Sequence, residues 1–318
     1  MRAIQVHETT GPDGLRLVEL PEPAADGGVL IDVRAAGISF PDLLLSRGEY
    51  QLKPDPPFTP GVEVAGVVRS APEGSGFAPG DRVMAFTAFG GFAEVAVGQP
   101  GMTWRLPEQL SFAEGAALPM NYHTAHFALV RRAALRPDET LLVQGAAGGV
   151  GTAAIQIGKA VGARVVAVVS TDEKAEVARR AGADEVVRTE EEWPLAHVVF
   201  DPVGGERLSQ SIRRLHPEGR LVVIGFTEGE IPSVKVNRLL FRNVGVIGAA
   251  WGEFALRRPE YIAEVAADLE RMIAAGQVKP LVGATYALEE VPQALRDLAE
   301  RRATGKLVLD FEKEAQRS

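Results

Sequence analysis

The 318-residue sequence has no cysteine, no strongly basic segment and no long apolar run. The absence of cysteine excludes disulfides, a thiolate nucleophile, iron–sulfur clusters and cysteine-ligated zinc. The formal net charge is −8, and the sequence has no cluster of basic residues that could bind nucleic acid or an anionic membrane. Neither is therefore expected as a partner. No stretch approaches the ~20 apolar residues of a membrane span, and the start of the chain does not resemble a signal peptide. We therefore predict a cytoplasmic protein.

The length and the residue pattern predict an α/β fold with two domains. Up to about residue 120, short β-branched runs alternate with Gly- and Pro-rich turns, which indicates a β-rich domain. Apolar strands then alternate with amphipathic helices, the βαβ pattern of a doubly wound parallel sheet. After Trp251, two helices and a final strand return to the first domain. The predicted domains are 121–253, a Rossmann-type dinucleotide-binding domain, and 1–120 with 254–318, a catalytic domain.

A glycine-rich turn carries the strongest chemical signal. The apolar strand Thr140–Gln144 runs into Gly145-Ala-Ala-Gly-Gly-Val-Gly151, and a helix follows directly. Gly148 permits close backbone approach to a pyrophosphate, Gly151 lets helix and strand pack closely, and the helix N-terminus offers free N–H groups. A tight turn that binds nothing is the alternative, but the strand–turn–helix context favours a nicotinamide dinucleotide site. The predicted pyrophosphate contacts are Ala147, Gly148, Gly149, Val150 and Gly151.

The end of the next strand bears on the choice between NADPH and NADH. An NAD enzyme places a carboxylate there, on the ribose 2′-OH, whereas this sequence has Ser170 and Thr171, with Lys174 just beyond. Hydroxyls and an ammonium suit a 2′-phosphate, which favours NADPH. The carboxylates of Asp172 and Glu173 oppose this interpretation. The alternative for Lys174 is a solvated lysine in the first turn of a helix.

Several further motifs follow one another along the chain. They are Gly37–Asp42, Arg47–Tyr50, Gly61–Gly66, Gly80–Val83, Asn121–Ala125, Asp201–Gly205 and Gly305–Val308. Together with the glycine turn they resemble the zinc-free quinone oxidoreductase branch of the medium-chain dehydrogenase/reductase superfamily, over essentially the whole chain. The resemblance implies that the β-rich domain is GroES-like and that the protein is an NADPH:quinone oxidoreductase.

The same resemblance implies that no zinc is used. Zinc-dependent alcohol dehydrogenases of the superfamily have a cysteine near Ser39, a histidine near Val62 and a cysteine-rich lobe, none of which this sequence contains. His123 and His126 share a helix face at a metal-like spacing, but no third ligand is evident, and we expect no metal. Glu63, in a strand expected to be buried, is expected to form a structural pair with a backbone N–H or an arginine such as Arg82.

Residue by residue, the resemblance implies further cofactor contacts. Lys174 and Arg302 hold the adenosine 2′-phosphate, and Thr189 or Arg188 assists them. The residues implied for the nicotinamide half are Thr124, Gly225, Phe226 and Thr227.

Hydride transfer to a quinone needs orientation, exclusion of water and a donor for the negative charge that grows on the carbonyl oxygen. We predict the Tyr50 phenol as that donor, with Ser39, Asn121 and Tyr122 lining the substrate cleft. Quinone reductases of this branch commonly carry asparagine in place of Ser39. Structural roles are the alternatives: Tyr50 anchors a loop, and Asn121 or Tyr122 packs a helix.

Quinones or small activated enones are thus the leading substrates. An enoyl-thioester (enoyl-CoA) or alkenal reductase is an alternative on the same scaffold, and a non-catalytic NADPH-binding interaction protein is an alternative of another class. The β-prone segment Val244–Gly248 predicts a homodimer that pairs edge strands, unless Trp251 and its loop cover that edge.

Overall fold

A computed structural model describes residues 1–312. The chain divides into two compact units, Met1–Met120 with Pro280 onward, and Asn121–Lys279. The first boundary coincides with the predicted one at residue 120. The second differs from the predicted boundary at 253, and the last six residues of the predicted segment 254–318 lie outside the described residues.

The strands are numbered in chain order. They are β1 (Arg2–Val6), β2 (Leu15–Glu19), β3 (Val29–Ile38), β4 (Glu63–Ser70), β5 (Arg82–Phe86), β6 (Val95–Gly98), β7 (Thr103–Arg105), β8 (Thr140–Val143), β9 (Arg164–Val169), β10 (Glu185–Arg188), β11 (Ala196–Asp201), β12 (Leu215–Val223), β13 (Gly245–Gly248), β14 (Val282–Tyr286) and β15 (Lys306–Asp310).

The α-helices are numbered in the same way. They are α1 (Phe40–Ser46), α2 (Phe112–Ala116), α3 (Pro119–His126), α4 (Gly149–Val161), α5 (Asp172–Arg180), α6 (Arg207–Arg213), α7 (Asn237–Arg242), α8 (Trp251–Arg257), α9 (Pro259–Ala274) and α10 (Val291–Ala299). A π-helical segment, Phe127–Arg132, continues α3. Among residues 1–312, no helix has both the length and the apolar composition that crossing a bilayer demands.

The first unit is built on a seven-stranded, mainly antiparallel sheet. Its strand order is β14-β15-β3-β4-β5-β7, and β6 pairs with β3. Strand β15 pairs antiparallel with β3, so the C-terminal strand joins strands from the start of the chain. Val29, Ile31, Val64 and Leu307 contribute to the buried core of this unit. The predicted β-rich domain is confirmed.

The second unit contains a six-stranded parallel sheet of order β10-β9-β8-β11-β12-β13. This is the doubly wound order, in which the chain reverses its direction of progress between β8 and β11. Residues 165–169 of β9 are all buried, as expected of a parallel strand covered on both faces. The predicted Rossmann-type sheet is confirmed, and ligands of such sheets bind outside the carboxyl ends of the strands near that reversal.

Helix α9 belongs to this second unit, which accounts for the boundary that the sequence placed differently. Its buried stripe includes Tyr261, Val265 and Leu269. The Tyr261 ring lies 5.9 Å from the ring of Phe127, and Asp268 contacts His126. These partners all lie within Asn121–Lys279, so the segment that follows Trp251 packs with helical residues of the second unit before the chain returns to the first unit.

Candidate functional site

The glycine turn joins β8 to α4 at the carboxyl edge of the parallel sheet. Gly145 has a positive φ of 58°, and a Cβ at Gly151 would lie 2.2 Å from the Gly145 carbonyl oxygen. Only glycine therefore allows α4 to begin so close to the strand. A Cβ at Gly148, the N-cap, would meet nothing nearer than 3.5 Å. The turn is thus closed on its sheet side and open in front of the helix N-terminus, whose first N–H groups have no intrahelical acceptor.

The predicted 2′-phosphate residues of the second unit meet at the ends of β9 and β10. Ser170 and Thr171 follow β9, and the Thr171 hydroxyl accepts a hydrogen bond from the Lys174 N–H at 3.2 Å. Arg188 is level with Val169 in the parallel register. The N–H of Thr189 donates to the Val169 carbonyl at 3.0 Å. Ser170, Thr171 and Lys174 therefore belong to the cap and first turn of α5, and the Arg188 guanidinium reaches that turn through Asp172.

The loop that follows β12 contains Gly225, Phe226 and Thr227, all half-buried. The Thr227 N–H donates to the Pro202 carbonyl at 3.1 Å, which holds the loop against the turn after β11. In that turn, buried Asp201 accepts hydrogen bonds from the N–H groups of Val203 and Gly204, both at 2.9 Å. Burial raises the pKa of Asp201 above its usual range. The loop thus lies at the same carboxyl edge of the sheet.

Helix α3 presents Asn121 and Tyr122, both buried, and Thr124, which is half-buried. The Tyr122 hydroxyl donates to Gln156 Oε1 at 2.8 Å, and Gln156 exchanges two further bonds with the backbone of Lys279. The bond fits the structural alternative, in which Tyr122 packs a helix, while its place in the lining of the substrate cleft stays a prediction. In the structure, Tyr122 therefore fixes α3 to α4.

The two histidines of α3 contact different partners. His126 Nε2 lies 3.1 Å from Asp268 Oδ2, whereas the His123 ring packs 5.1 Å from the ring of Trp251. Burial lowers the pKa of His126, against the opposing charge of Asp268. Within the described chain, no group of three or more His, Asp or Glu side chains is placed to hold a metal ion.

In the first unit, Ser39 lies in a buried polar cluster that we name the Ser39 cluster: Ser39, Asp42, Glu63 and Lys306. The Ser39 hydroxyl donates to Glu63 Oε1 at 2.8 Å and accepts from Lys306 Nζ at 2.6 Å. Lys306 Nζ also bonds to Glu63, and the N–H of Met120 donates to Glu63 Oε2 at 2.8 Å. The cluster thus contains a buried carboxylate paired with a buried ammonium, and the Ser39 hydroxyl bonds to both.

The structural pairing expected for Glu63 is confirmed, but Arg82 is the wrong partner. Arg82 donates instead to the carbonyls of Glu108 and Leu110 and lies over the Phe112 ring. Lys306, which takes the place expected of Arg82, stands in the Gly305–Val308 motif without an assigned role in the sequence interpretation.

Asp42 is a second residue that the sequence interpretation missed. It accepts hydrogen bonds from the N–H groups of Ser39 and Gly61 at 2.8 and 3.0 Å. Burial raises its pKa from 3.8 to about 7, although those N–H groups and the charge of Lys306 favour the carboxylate. The Asp at the third position after Ser39 is a capping-box pattern, and that spacing was its available sequence signal.

The two remaining predicted residues also lie in the first unit. Tyr50 is half-buried in the irregular segment between α1 and β4. Arg302 is half-exposed, and its guanidinium bonds to Asp297 Oδ1 at 2.6 Å and contacts Glu300. Their roles toward cofactor and substrate stay predictions.

Comparison with known proteins agrees with this architecture. Residues 25–108 match the alcohol dehydrogenase GroES-like domain, and residues 149–270 match the zinc-binding dehydrogenase family. A quinone oxidoreductase-like protein 2 from Bos taurus is 36% identical over 304 residues, covering 92% of this chain and 87% of the relative. The chain belongs to the quinone oxidoreductase branch of the medium-chain dehydrogenase/reductase superfamily.

Two solved structures of this oxidoreductase family are similar along nearly their whole length. A probable oxidoreductase from Mycobacterium abscessus has 48% identity and a TM-score of 0.88, with 98% of each chain covered. The quinone oxidoreductase from Thermus thermophilus, also solved in complex with NADPH, has 37% identity and a TM-score of 0.85, covering 98% of this chain and 100% of that one.

The contact between Gly151 and Gly145 gives a stability prediction. We expect Gly151→Ala to lower the free energy of unfolding by about 3 kcal/mol, because the new Cβ overlaps backbone that cannot move aside. Gly148→Ala is the matched control and is expected to stay within about 1 kcal/mol of wild type. Urea unfolding followed by circular dichroism measures both, and equal losses at the two positions would contradict the close-packing account.

The raised pKa of Asp42 predicts how stability depends on pH. Because its folded pKa of about 7 lies above the ordinary value of 3.8, the folded state keeps a proton that the unfolded state releases. The contribution of Asp42 to the free energy of unfolding therefore falls as the pH rises from about 4 to about 7, by up to about 1.4 kcal/mol per pH unit. Urea unfolding of wild type and Asp42→Asn across this window should show the difference changing, whereas a constant difference contradicts it.

Proposed function

We propose that the protein is an NADPH-dependent, metal-independent reductase that transfers hydride to a quinone or a small activated enone. The observation that carries this proposal is the open glycine turn at the helix N-terminus, at the carboxyl edge of a sheet with dinucleotide-binding strand order. The related Thermus thermophilus enzyme was solved with NADPH, which supports the choice of cofactor.

The described residues fit such a cofactor. Gly148 leaves room for a pyrophosphate before α4, where the N–H groups of the turn would bind it. Arg188 has a buried Nη1 atom without a hydrogen-bond acceptor among the described residues. With Lys174, Ser170, Thr171 and Thr189, it would hold a 2′-phosphate, a role that the family resemblance also gives to Arg302. Thr124 and the loop 225–227 would orient the nicotinamide half.

The cofactor, when bound, supplies a hydride to the acceptor. The chain's part is to orient the acceptor and to donate a hydrogen bond to the oxygen on which negative charge develops. We assign that donation to the Tyr50 phenol and assign Ser39 and Asn121 to the lining of the substrate site. Tyr122 takes a supporting part, because its hydroxyl already donates to Gln156.

The Ser39 cluster favours metal-independent chemistry. Ser39 and Val62 stand where zinc-dependent members carry their ligands, and neither is a zinc ligand of the usual kind. The Lys306 ammonium lies 2.6 Å from Ser39 Oγ and bonds to Glu63, so the buried carboxylate of this cluster already has a cationic partner from the chain itself.

The test is anaerobic stopped-flow oxidation of NADPH and NADH against benzoquinone, naphthoquinone, an alkenal and crotonyl-CoA. We expect fast turnover of NADPH with the quinones. Turnover confined to the alkenal or the thioester would assign the protein to the enoyl reductases, and binding without turnover would favour a non-catalytic protein.

The same assay tests Tyr50. We expect Tyr50→Phe to lower kcat roughly 100-fold, because one donor to the developing oxyanion is lost, while the Kd for NADPH stays unchanged. Tyr261→Phe is the matched control, since Tyr261 packs against Phe127 within the other unit. An unchanged kcat in Tyr50→Phe would remove this residue from the mechanism.

A homodimer is the second part of the proposal. Strand β13 lies at the edge of the parallel sheet, and apolar side chains in the segments on both sides of it are exposed. These are Ile231, Val236, Leu240, Phe241 and Leu256. A second copy that extends the sheet at this edge would cover such side chains.

Light scattering tests the dimer. We expect wild type at twice the 33.9 kDa chain mass, and Phe241→Glu near the monomer mass, because a charge would replace a side chain that is 79% exposed in the single chain. Leu52→Glu, at a leucine that is 54% exposed in the first unit, is the control and should remain dimeric. A wild-type monomer at micromolar concentration would refute the proposal.

A further inference from the structure

An ion pair joins the end of β10 to the first turn of α5. Arg188 Nη2 lies 2.5 Å from Asp172 Oδ1. The two side chains differ strongly in exposure, at 22% for Arg188 and 100% for Asp172. Ion pairs with so exposed a partner contribute little to stability, so Arg188 can exchange Asp172 for another anion at low cost.

Arg188 is held in place from several sides. Its N–H donates to Glu191 Oε2 at 2.7 Å, and its carbonyl accepts a hydrogen bond from the indole of the fully buried Trp193 at 3.1 Å. Its Nη1 is buried and has no hydrogen-bond acceptor in the described chain. These bonds fix the backbone of Arg188, and its guanidinium, which pairs with Asp172, keeps a donor to spare. A guanidinium can bind an anion through two parallel hydrogen bonds.

The position of this guanidinium matches one part of a dinucleotide. In doubly wound sheets the adenosine ribose lies at the end of the second strand, which is β9 here, and Arg188 ends the neighbouring strand level with Val169. The Asp172 carboxylate, which opposes a 2′-phosphate, lies at the same place, because Asp172 begins α5 directly after the Thr171 cap. A 2′-phosphate and the Asp172 carboxylate would thus compete for the same donors.

We propose that Asp172 is an internal competitor for Arg188 and that this pair sets the preference between NADPH and NADH. A 2′-phosphate displaces the Asp172 carboxylate and accepts hydrogen bonds from the Arg188 guanidinium. A cofactor with a 2′-hydroxyl leaves the Arg188–Asp172 ion pair intact. Arg188 is then the main specificity residue, ahead of Arg302, because Arg302 pairs with two carboxylates, Asp297 and Glu300, whereas Arg188 pairs with the single exposed carboxylate of Asp172. This inference rests on the dinucleotide site proposed above.

The experiment is calorimetric titration of the full chain with 2′,5′-ADP, 5′-AMP, NADPH and NADH, which needs no turnover. We expect Arg188→Met to weaken 2′,5′-ADP and NADPH roughly 10- to 100-fold, the value of charge-assisted hydrogen bonds, and to leave 5′-AMP and NADH unchanged. Arg164→Met is the matched control, because Arg164 pairs with Glu185 at 2.5 Å at the opposite, amino ends of β9 and β10. It should change none of the four constants.

Asp172→Asn tests the competition itself. We expect it to strengthen 2′,5′-ADP and NADPH about three- to fivefold, the scale of an exposed ion pair, without effect on 5′-AMP. The gain should vanish in the Arg188→Met background. A gain that persists there would show general charge repulsion and would overturn the competitor role.

Other outcomes separate this inference from the proposed function. If Arg188→Met weakens NADPH and NADH equally, Arg188 is structural and the inference fails, while the dinucleotide site stands. If wild type binds none of the four ligands, the dinucleotide site itself fails. Should Arg188→Met not fold, Arg188→Lys keeps the charge and loses the fork; it should still weaken 2′,5′-ADP more than 5′-AMP, and equal weakening would refute the assignment.

Discussion

The contact of Gly151 with the Gly145 carbonyl is the constraint on which the site depends. It lets α4 begin directly at the end of β8, and this places the positive end of the helix at the carboxyl edge of the sheet. The neighbouring strands bring Ser170, Thr171 and Arg188 to the same edge, because parallel strands end side by side. The close approach of Gly151 to Gly145 and the parallel register of the strands therefore place the helix N-terminus and the Arg188 side chain at one edge of the sheet.

In the first unit, two opposite charges are buried together. Lys306, from the last strand, neutralises Glu63 and bonds to the Ser39 hydroxyl. Removing the charge of either Glu63 or Lys306 would leave the other charge buried and unpaired, which costs about 3–5 kcal/mol. The cluster thus joins the C-terminal strand to the start of α1 and fixes the hydroxyl that the proposed function places near the substrate.

Sequence patterns predicted the local features well and the long-range ones poorly. The strand predicted from Thr140, the helix predicted directly after the glycine turn and the strand predicted to end before Ser170 are all present, because glycine spacing and apolar runs are local signals. The pairing of Glu63 with Lys306 joins residues 243 positions apart, and no spacing rule reveals it, so Arg82 was expected instead. Helix α7 was not predicted, because Leu240 and Phe241 are exposed and give no periodic buried face. The amphipathic stripe of α9 predicted a helix but could not show which unit it packs against.

The central claim is that the glycine turn binds the dinucleotide. Hydrogen–deuterium exchange with and without saturating NADPH tests it most directly, because it reports on the backbone N–H groups themselves. The account predicts slower exchange in peptides that cover Gly145–Gly151 and Ser170–Lys174, and no change in peptides from β1 and β2. Bound NADPH with unchanged exchange at the glycine turn would contradict it.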